Sequence, residues 1–186
     1  MIYMHKDFIK RGYKDYHIKK LIELGKLHYI KKGVYSTTLE INYFEYIAKK
    51  HPNAIITLWT AGYCYGFMKE NKKIYAVATK QKDRKIHDNK IKQTFMTDDL
   101  YEVGLCYIKF QGINIKIFDL ERLLIEVVRN KTNVSYEMYQ EMIASYSKVK
   151  NLINKRKLNE YISHFQDKKI KERIIREVYN GELIEK

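Results

Sequence analysis

The start of the chain has a hydrophobic pattern that predicts two short helices. The sequence HKDFIKRG predicts a first helix that ends at Gly12. In the next segment, KDYHIKKLIEL over residues 14–24, Ile18, Leu21 and Ile22 have the i, i+3, i+4 spacing of a buried helix face. This spacing predicts an amphipathic second helix with one side turned towards a core.

A hairpin is predicted directly after this second helix. Gly25 stands where a left-handed cap commonly ends a helix. Residues 26–37, KLHYIKKGVYST, contain two short apolar runs around a Lys-Lys-Gly turn, and Gly33 can adopt the positive φ that a tight turn requires. A third helix is predicted over residues 41–50, and Pro52 ends it because the residue before a proline disfavours the helical region.

The pattern changes after this proline, and we place a domain boundary there. We expect an N-terminal domain over residues 1–52 and a second domain over residues 53–186. The second domain begins with alternating, β-branched segments that predict a mixed sheet and ends with helical periodicity. Its predicted strands lie at 74–79, 93–97, 103–110 and 112–118, and its predicted helices at roughly 120–128, 135–149, 151–165 and 167–180. We expect the last two strands to form a hairpin across Gln111-Gly112 and Asp119 to cap the helix that follows.

The order of the first elements predicts a winged helix-turn-helix. In that arrangement one helix enters the major groove of DNA with its apolar stripe turned away, and a hairpin reaches the neighbouring backbone. A short helix, an amphipathic helix, a glycine cap and a basic hairpin occur here in that order. We therefore expect an α+β fold, with an N-terminal winged helix-turn-helix followed by a mixed α/β domain with a helical C-terminus.

The charge of the chain favours an anionic partner. The sequence has 36 Lys and Arg against 22 Asp and Glu, a formal charge of +14 and a pI near 9.5. Residues 1–36 alone contain nine basic and three acidic residues, a net charge of +6. Such an excess points to nucleic acid more often than to an acidic protein or a membrane surface. AT-rich coding also gives a Lys-rich composition, so charge alone does not decide the function.

The candidate DNA-binding residues lie on the polar side of the second helix and around it. A solvated helix beside a charged hairpin is the alternative for any single lysine in this set. Asp15 and Glu23 are unfavourable so near phosphate, although an acid at position 15 stabilises the start of its helix. The residues expected to contact double-stranded DNA are Lys10, Arg11, Lys14, Tyr16, His17, Lys19, Lys20, Lys31 and Lys32.

The sequence has no motif of an enzyme or of a metal site. The six histidines lack metal-ligand spacing, and no glycine-rich phosphate loop is present. Cys64 and Cys106 form no C-x-x-C pair, and we expect reduced thiols. The Asp98-Asp99 pair is interpreted as a helix start rather than as a metal site. We expect no catalysis, no cofactor and no metal, and, without a signal peptide or membrane span, a cytoplasmic protein.

Four segments occur in an order that is similar to a known family. They are GKLHYIKKGVYS, HPNAIITLWTAGYCYGF, KIYAVATK and GINIKIFDLERLLIEVVRNK. This series resembles the AbiEi antitoxins of bacterial abortive-infection AbiE systems, and the resemblance extends over roughly residues 5–165. The sequence departs from the family pattern at Thr57 and Thr60, where Ser is commoner, and at Gly62, where an apolar residue is usual.

The resemblance implies a DNA-binding autorepressor that is also an antitoxin. Such a protein binds inverted repeats in its own promoter cooperatively, as a monomer in solution. It counteracts a co-encoded nucleotidyltransferase-like toxin without forming a stable complex with it. The alternative is an antitoxin that binds an acidic toxin directly and uses its basic surface for that contact. An enzyme in the C-terminal domain is a third hypothesis, which no motif supports.

Overall fold

The computed structural model describes residues 1–70, 72–167 and 169–181 and has the mixed α+β fold predicted from the sequence. The end of the predicted second domain, residues 182–186, lies outside the described residues, as does Lys168 in the last predicted helix. Within the described ranges, no helix has both the length and the apolar character needed to cross a bilayer.

The chain divides into two compact units. The first unit consists of Met1–Pro52 together with Gln111–Ile115. The second unit consists of Asn53–Phe110 and Lys116–Lys186. One division therefore falls between residues 52 and 53, and a short segment from later in the chain belongs to the first unit.

A three-stranded antiparallel sheet forms the centre of the first unit, with strand order β1-β3-β2. The strand β1 was not predicted, because three residues are too few to show a hydrophobic period. The elements are β1 (Ile2–Met4), α1 (His5–Lys10), α2 (Asp15–Glu23), β2 (His28–Lys31), β3 (Val34–Ser36) and α3 (Tyr43–Lys50).

Aromatic side chains cover one face of this sheet. Tyr3 and Tyr29 are both register partners of Tyr35, so three tyrosines lie side by side across the three strands. The ring of Phe8, from α1, lies 5.5 Å from that of Tyr3 and 5.7 Å from that of Tyr35, the latter at 90°. These distances and angles are those that aromatic quadrupoles favour. The contacts attach α1 to the tyrosine face.

The helix α2 packs its apolar stripe on the same core. Ile18 is buried with Phe8 and Leu27, and Leu21 and Ile22 pack against this cluster as half-buried residues. The predicted buried stripe of α2 is confirmed. Because the stripe is held against the core, the opposite side of α2 is turned to solvent.

The helix α3 satisfies the free edge of β1. The Glu45 carboxylate accepts a hydrogen bond from the Ile2 N–H at 3.0 Å, and the Lys49 ammonium donates to the Ile2 carbonyl. Glu45 and Lys49 also form an i, i+4 ion pair at 2.8 Å. An edge strand otherwise presents unpaired backbone groups, so this pair of side chains both attaches α3 and closes the edge.

The second unit contains a five-stranded mixed sheet with strand order β6-β5-β4-β8-β7. Strands β5 and β6 are parallel, with Tyr75 opposite Ile91. The strand β8 begins within the short segment that is assigned to the first unit. The elements are β4 (Ile55–Ile56), α4 (Leu58–Cys64), β5 (Tyr75–Lys80), β6 (Ile91–Met96), α5 (Asp98–Tyr101), β7 (Leu105–Phe110), β8 (Ile113–Phe118), α6 (Leu120–Arg129), α7 (Tyr136–Val149), α8 (Lys155–Ser163) and α9 (Lys169–Glu177).

Two local expectations for this part of the chain are confirmed and one is corrected. Gln111 and Gly112 have φ values of +49° and +80°, as a two-residue hairpin turn requires. The Asp119 carboxylate accepts from the Arg122 N–H at 2.9 Å and caps α6. The helix predicted over 151–165 is shorter, because a 3₁₀ turn precedes α8.

A buried arginine organises the core around α6. Arg122 is fully buried, and its guanidinium pairs with the buried Glu126 carboxylate at 2.9 Å. It also donates to the carbonyls of Leu100 and Val103 at 2.7 and 3.0 Å. A Cβ at Gly104 would lie 2.3 Å from the Arg122 Cβ, so only glycine fits there. The charge is acceptable in the core because its donors have partners.

Replacing Arg122 by alanine is expected to destabilise the second unit by about 3–5 kcal/mol, because Glu126 would remain buried without its counter-charge. Urea unfolding followed by the fluorescence of Trp59, which is buried in the same unit, measures the effect. Arg156→Ala is the matched control, since Arg156 is exposed on α8. Equal unfolding midpoints for the two variants would contradict the assignment.

The carboxylate of Glu45 makes the stability of the first unit depend on pH. Burial opposes its ionisation, but hydrogen bonds from Lys49 and from the Ile2 N–H outweigh burial and lower its pKa below the ordinary value of 4.5. Since the folded pKa is the lower one, this stabilisation is present above pH 4.5 and is lost as the pH falls through the folded value.

We therefore expect Glu45→Gln to lower the stability of the first unit by about 1–2 kcal/mol at pH 7 and by less at pH 3. Urea titrations at both pH values, followed by the methyl resonances of the buried Val34, measure this difference. Glu40→Gln is the control, because Glu40 is exposed. A loss at pH 3 as large as that at pH 7 would contradict the role given to the ionised carboxylate.

Candidate nucleic-acid interface

The helix α2 begins with a hydrogen bond from backbone to side chain. Lys14 is the extended residue before the helix, and its N–H donates to Nδ1 of His17 at 3.0 Å. A nitrogen that accepts carries no proton, so this geometry places the imidazole proton on Nε2. His17 thus satisfies one of the backbone donors near the helix start. The helix ends before Gly25, whose φ of +67° confirms the predicted cap.

The solvent side of α2 is cationic. Lys14, Lys19 and Lys20 are exposed, and among the described residues none of them is paired with a carboxylate. Tyr16 lies on the same side and is 60% exposed. An apolar stripe on the core and unpaired cations on the outside are the arrangement that a groove-binding helix requires.

An aromatic stack connects this exposed side with the core. The rings of Tyr16 and His17 are 3.9 Å apart, and the ring of Tyr13 meets that of His17 edge-on at 5.9 Å. Tyr13 in turn contacts Phe8, with the ring centroids 5.9 Å apart. His17 is half-buried within this stack. It therefore has a structural role that the sequence pattern did not reveal.

The acidic residue at the start of α2 has a partner. The Asp15 carboxylate is 76% exposed and lies 2.8 Å from Nε2 of His5, the first residue of α1. This contact joins the starts of the two helices. Glu23, at the other end of α2, is exposed. Of the two acids expected to be unfavourable near phosphate, Asp15 is thus held by a neighbouring side chain.

The end of α1 adds further positive charge. Lys10 and Arg11 are exposed, and neither has a carboxylate partner among the residues that the structure describes. Gly12 follows with a φ of +79°, which turns the chain towards α2. The Arg11 guanidinium lies 5.9 Å from the centre of the Tyr3 ring, at the outer limit of a cation–π contact.

The two lysines of the β2–β3 hairpin differ, although the sequence treats them alike. Gly33 has a φ of +72° at the turn, and Lys32 beside it is exposed. Lys31 is half-buried, with its ammonium 4.5 Å from the centre of the Tyr46 ring and 5.7 Å from that of Tyr43. Lys32 is therefore directed outwards, whereas Lys31 attaches the hairpin to α3.

All nine predicted contact residues lie in the first unit. At the start of α2, His17 contacts both the backbone of Lys14 and the ring of Tyr16. Lys31 packs on Tyr46 of α3. The sequence did not predict the contact between Lys31 and Tyr46, because Tyr46 is fifteen positions away on another element. An aromatic residue on the buried side of α3 gives no local signal for a lysine on a hairpin.

The residues considered for catalysis or metal binding have structural environments that do not favour those roles. Burial raises the pKa of the Cys64 thiol to about 12, so it is a poor nucleophile. The Asp98 carboxylate pairs with Lys82 at 2.9 Å at the start of α5. In the described part of the chain, no three His, Cys, Asp or Glu side chains are grouped so that they could hold a metal ion.

Comparisons with known proteins give a fold but no family. No family model and no curated protein matches the chain. A solved structure, described as the crystal structure of RV2827C protein from Mycobacterium tuberculosis, is similar with a TM-score of 0.72. The similarity covers 97% of this chain and 72% of that chain at 11% sequence identity. At such low identity it shows a shared fold and no more.

Measurements of stability can test whether Lys31, unlike Lys32, attaches the hairpin to α3. Lys31→Ala is expected to lower the stability of the first unit by about 1 kcal/mol, because the cation–π contact with Tyr46 is lost. Lys32→Ala should change it by less than about 0.5 kcal/mol, since an exposed side chain is removed. The urea midpoint of the Val34 methyl resonances measures both. Lys31→Arg should keep wild-type stability; a Lys31→Ala variant as stable as Lys32→Ala would contradict the contact.

Proposed function

We propose that the chain is a sequence-specific double-stranded DNA-binding protein whose first unit is a winged helix-turn-helix. The helix α2 is its recognition helix, and the β2–β3 hairpin is its wing. The observation that carries this proposal is the orientation of α2. Its apolar stripe packs on Phe8 and Leu27, while Lys14, Lys19 and Lys20 face solvent without carboxylate partners among the described residues.

The proposed contacts fall into two kinds. We expect the lysines at the helix start and on the wing to contact phosphates. Such contacts give an affinity that falls with salt concentration and depends little on the DNA sequence. We assign Tyr16, in the first turn of α2, and Lys20, in its second half, to base edges in the major groove. Lys32 is the wing residue for the backbone, and Lys31 supports the wing through its contact with Tyr46.

The biological part of the proposal rests on the order of the AbiEi-like motifs. The protein would repress its own operon by cooperative binding of monomers to inverted repeats, and it would act as an antitoxin in phage abortive infection. The toxin would be a co-encoded nucleotidyltransferase-like protein with which it forms no stable complex. We place it in the cytoplasm and assign it no catalytic activity.

Binding to DNA should depend steeply on salt and should weaken when these lysines are removed. We expect Lys32→Ala to reduce the slope of log K against log [salt] by about one and to weaken binding similarly for all sequences. Tyr16→Ala and Lys20→Ala should instead alter the preference between sequences. Fluorescence anisotropy with a labelled duplex from the region upstream of the gene, and with a scrambled duplex, measures both effects.

Lys171→Ala provides the charge-matched control, because Lys171 is exposed on α9 of the second unit. A wild-type protein without affinity for either duplex at low salt would overturn the proposal. Wild-type salt dependence in Lys32→Ala would overturn the wing assignment alone. Co-elution of the chain with the toxin in size-exclusion chromatography would favour the alternative of direct toxin binding.

A further inference from the structure

The first unit has a second cationic surface, and no residue of α2 lines it. It is an open depression of about 390 Å³ between the start of α1, the turn of the β2–β3 hairpin and the end of α3. We call it the α3 basin. Its lining residues are Met4, His5, Lys6, Gly33, Lys49 and Lys50.

The basin carries cations without counter-charges. Lys6 and Lys50 line it and are exposed, and Lys32 is adjacent. The Lys50 ammonium donates weakly to the Lys32 carbonyl at 3.4 Å and would lie 3.9 Å from a Cβ at Gly33. None of these three lysines has a carboxylate partner among the described residues.

The acidic groups near the basin are already engaged. Glu45 is bound to Lys49 and to the Ile2 N–H, and Asp15 is paired with His5. Asp7, next to Lys6 on α1, accepts a hydrogen bond from the Met4 N–H at 2.8 Å. Lys6, Lys32 and Lys50 therefore surround the depression without an ion-pair partner among the described residues. A concave surface with charge of one sign concentrates the potential and attracts a small anionic group.

One backbone contact and one side-chain contact hold the walls of the basin in place. The His5 N–H donates to the Gly33 carbonyl at 2.9 Å, which joins the start of α1 to the hairpin turn. Lys31 joins the same hairpin to α3 through the Tyr46 ring. The lysines therefore extend from three elements that are joined by one backbone hydrogen bond and one cation–π contact. A site of this kind needs little reorganisation to bind an anion.

We propose that the α3 basin binds a phosphodiester group of the DNA backbone, with Lys6 and Lys50 as its ligands and Lys32 at its rim. The inference rests on the proposed DNA-binding function and adds α3 to the elements that contact DNA. Lysine suits this role because its ammonium is a compact point charge on a flexible stem. The open side of the basin admits one phosphate of a longer strand.

Inorganic phosphate tests the basin without DNA. Titration of the full chain should shift the amide resonances of His5 and Gly33 at millimolar phosphate, and Lys6→Ala/Lys50→Ala should abolish the shifts. Lys26→Ala is the matched control, because Lys26 is an exposed lysine of the same unit outside the basin and should leave the shifts unchanged. No shift in the wild type, or equal shifts in the double variant, would overturn the inference.

A duplex then identifies the source of the phosphate. In the anisotropy assay, Lys6→Ala/Lys50→Ala should reduce the salt slope by about two, and Lys26→Ala should keep the wild-type slope. If the wild type binds DNA and the double variant keeps its slope, this inference alone fails. If the wild type binds phosphate but no duplex, the proposed function fails and the basin is a site for free anions instead. If Lys26→Ala reduced the salt slope as much as the double variant does, the effect would come from the total charge of the unit. That result would also overturn the proposed phosphate site in the basin.

Discussion

The packing of Ile18 in one buried cluster with Phe8 and Leu27 determines which side of α2 meets solvent. A helix of nine residues is too short to be stable alone, so α2 depends on this contact for its existence as well as for its orientation. The same contact places Tyr16 and the neighbouring lysines on the outside. The role proposed for α2 follows from it, because turning α2 by half a turn would bury the cations and expose the stripe.

The sheet supports this arrangement from two directions. On one face, Tyr3, Tyr29 and Tyr35 lie side by side, and Tyr3 and Tyr35 contact the ring of Phe8. At the edge, Glu45 and Lys49 bind the backbone of β1. The hairpin is attached at its turn to α1 and at Lys31 to α3, so its exposed lysine is presented by a fixed backbone.

Local patterns in the sequence predicted much of this structure. The stripe on α2, the cap at Gly25, the turn at Gly33 and the cap at Asp119 each depend on residues within a few positions of one another. Lys31 shows where such reasoning ends, because its partners are on α3 and only the tertiary fold brings them together. The basin beside α3 was not predicted for the same reason, whereas β1 was missed because three residues are too few to show a hydrophobic period. A helical period does not predict which side chains of the proposed recognition helix contact bases, since every exposed position on α2 fits the period equally.

The central claim is that α2 and the β2–β3 hairpin bind DNA. Amide resonances of the full chain, recorded while a duplex from the region upstream of the gene is added, test it most directly. The account predicts that shifts concentrate at residues 14–24 and at the hairpin turn, and that they fade as salt is raised. Shifts confined to the second unit, or an unchanged spectrum at low salt, would contradict it.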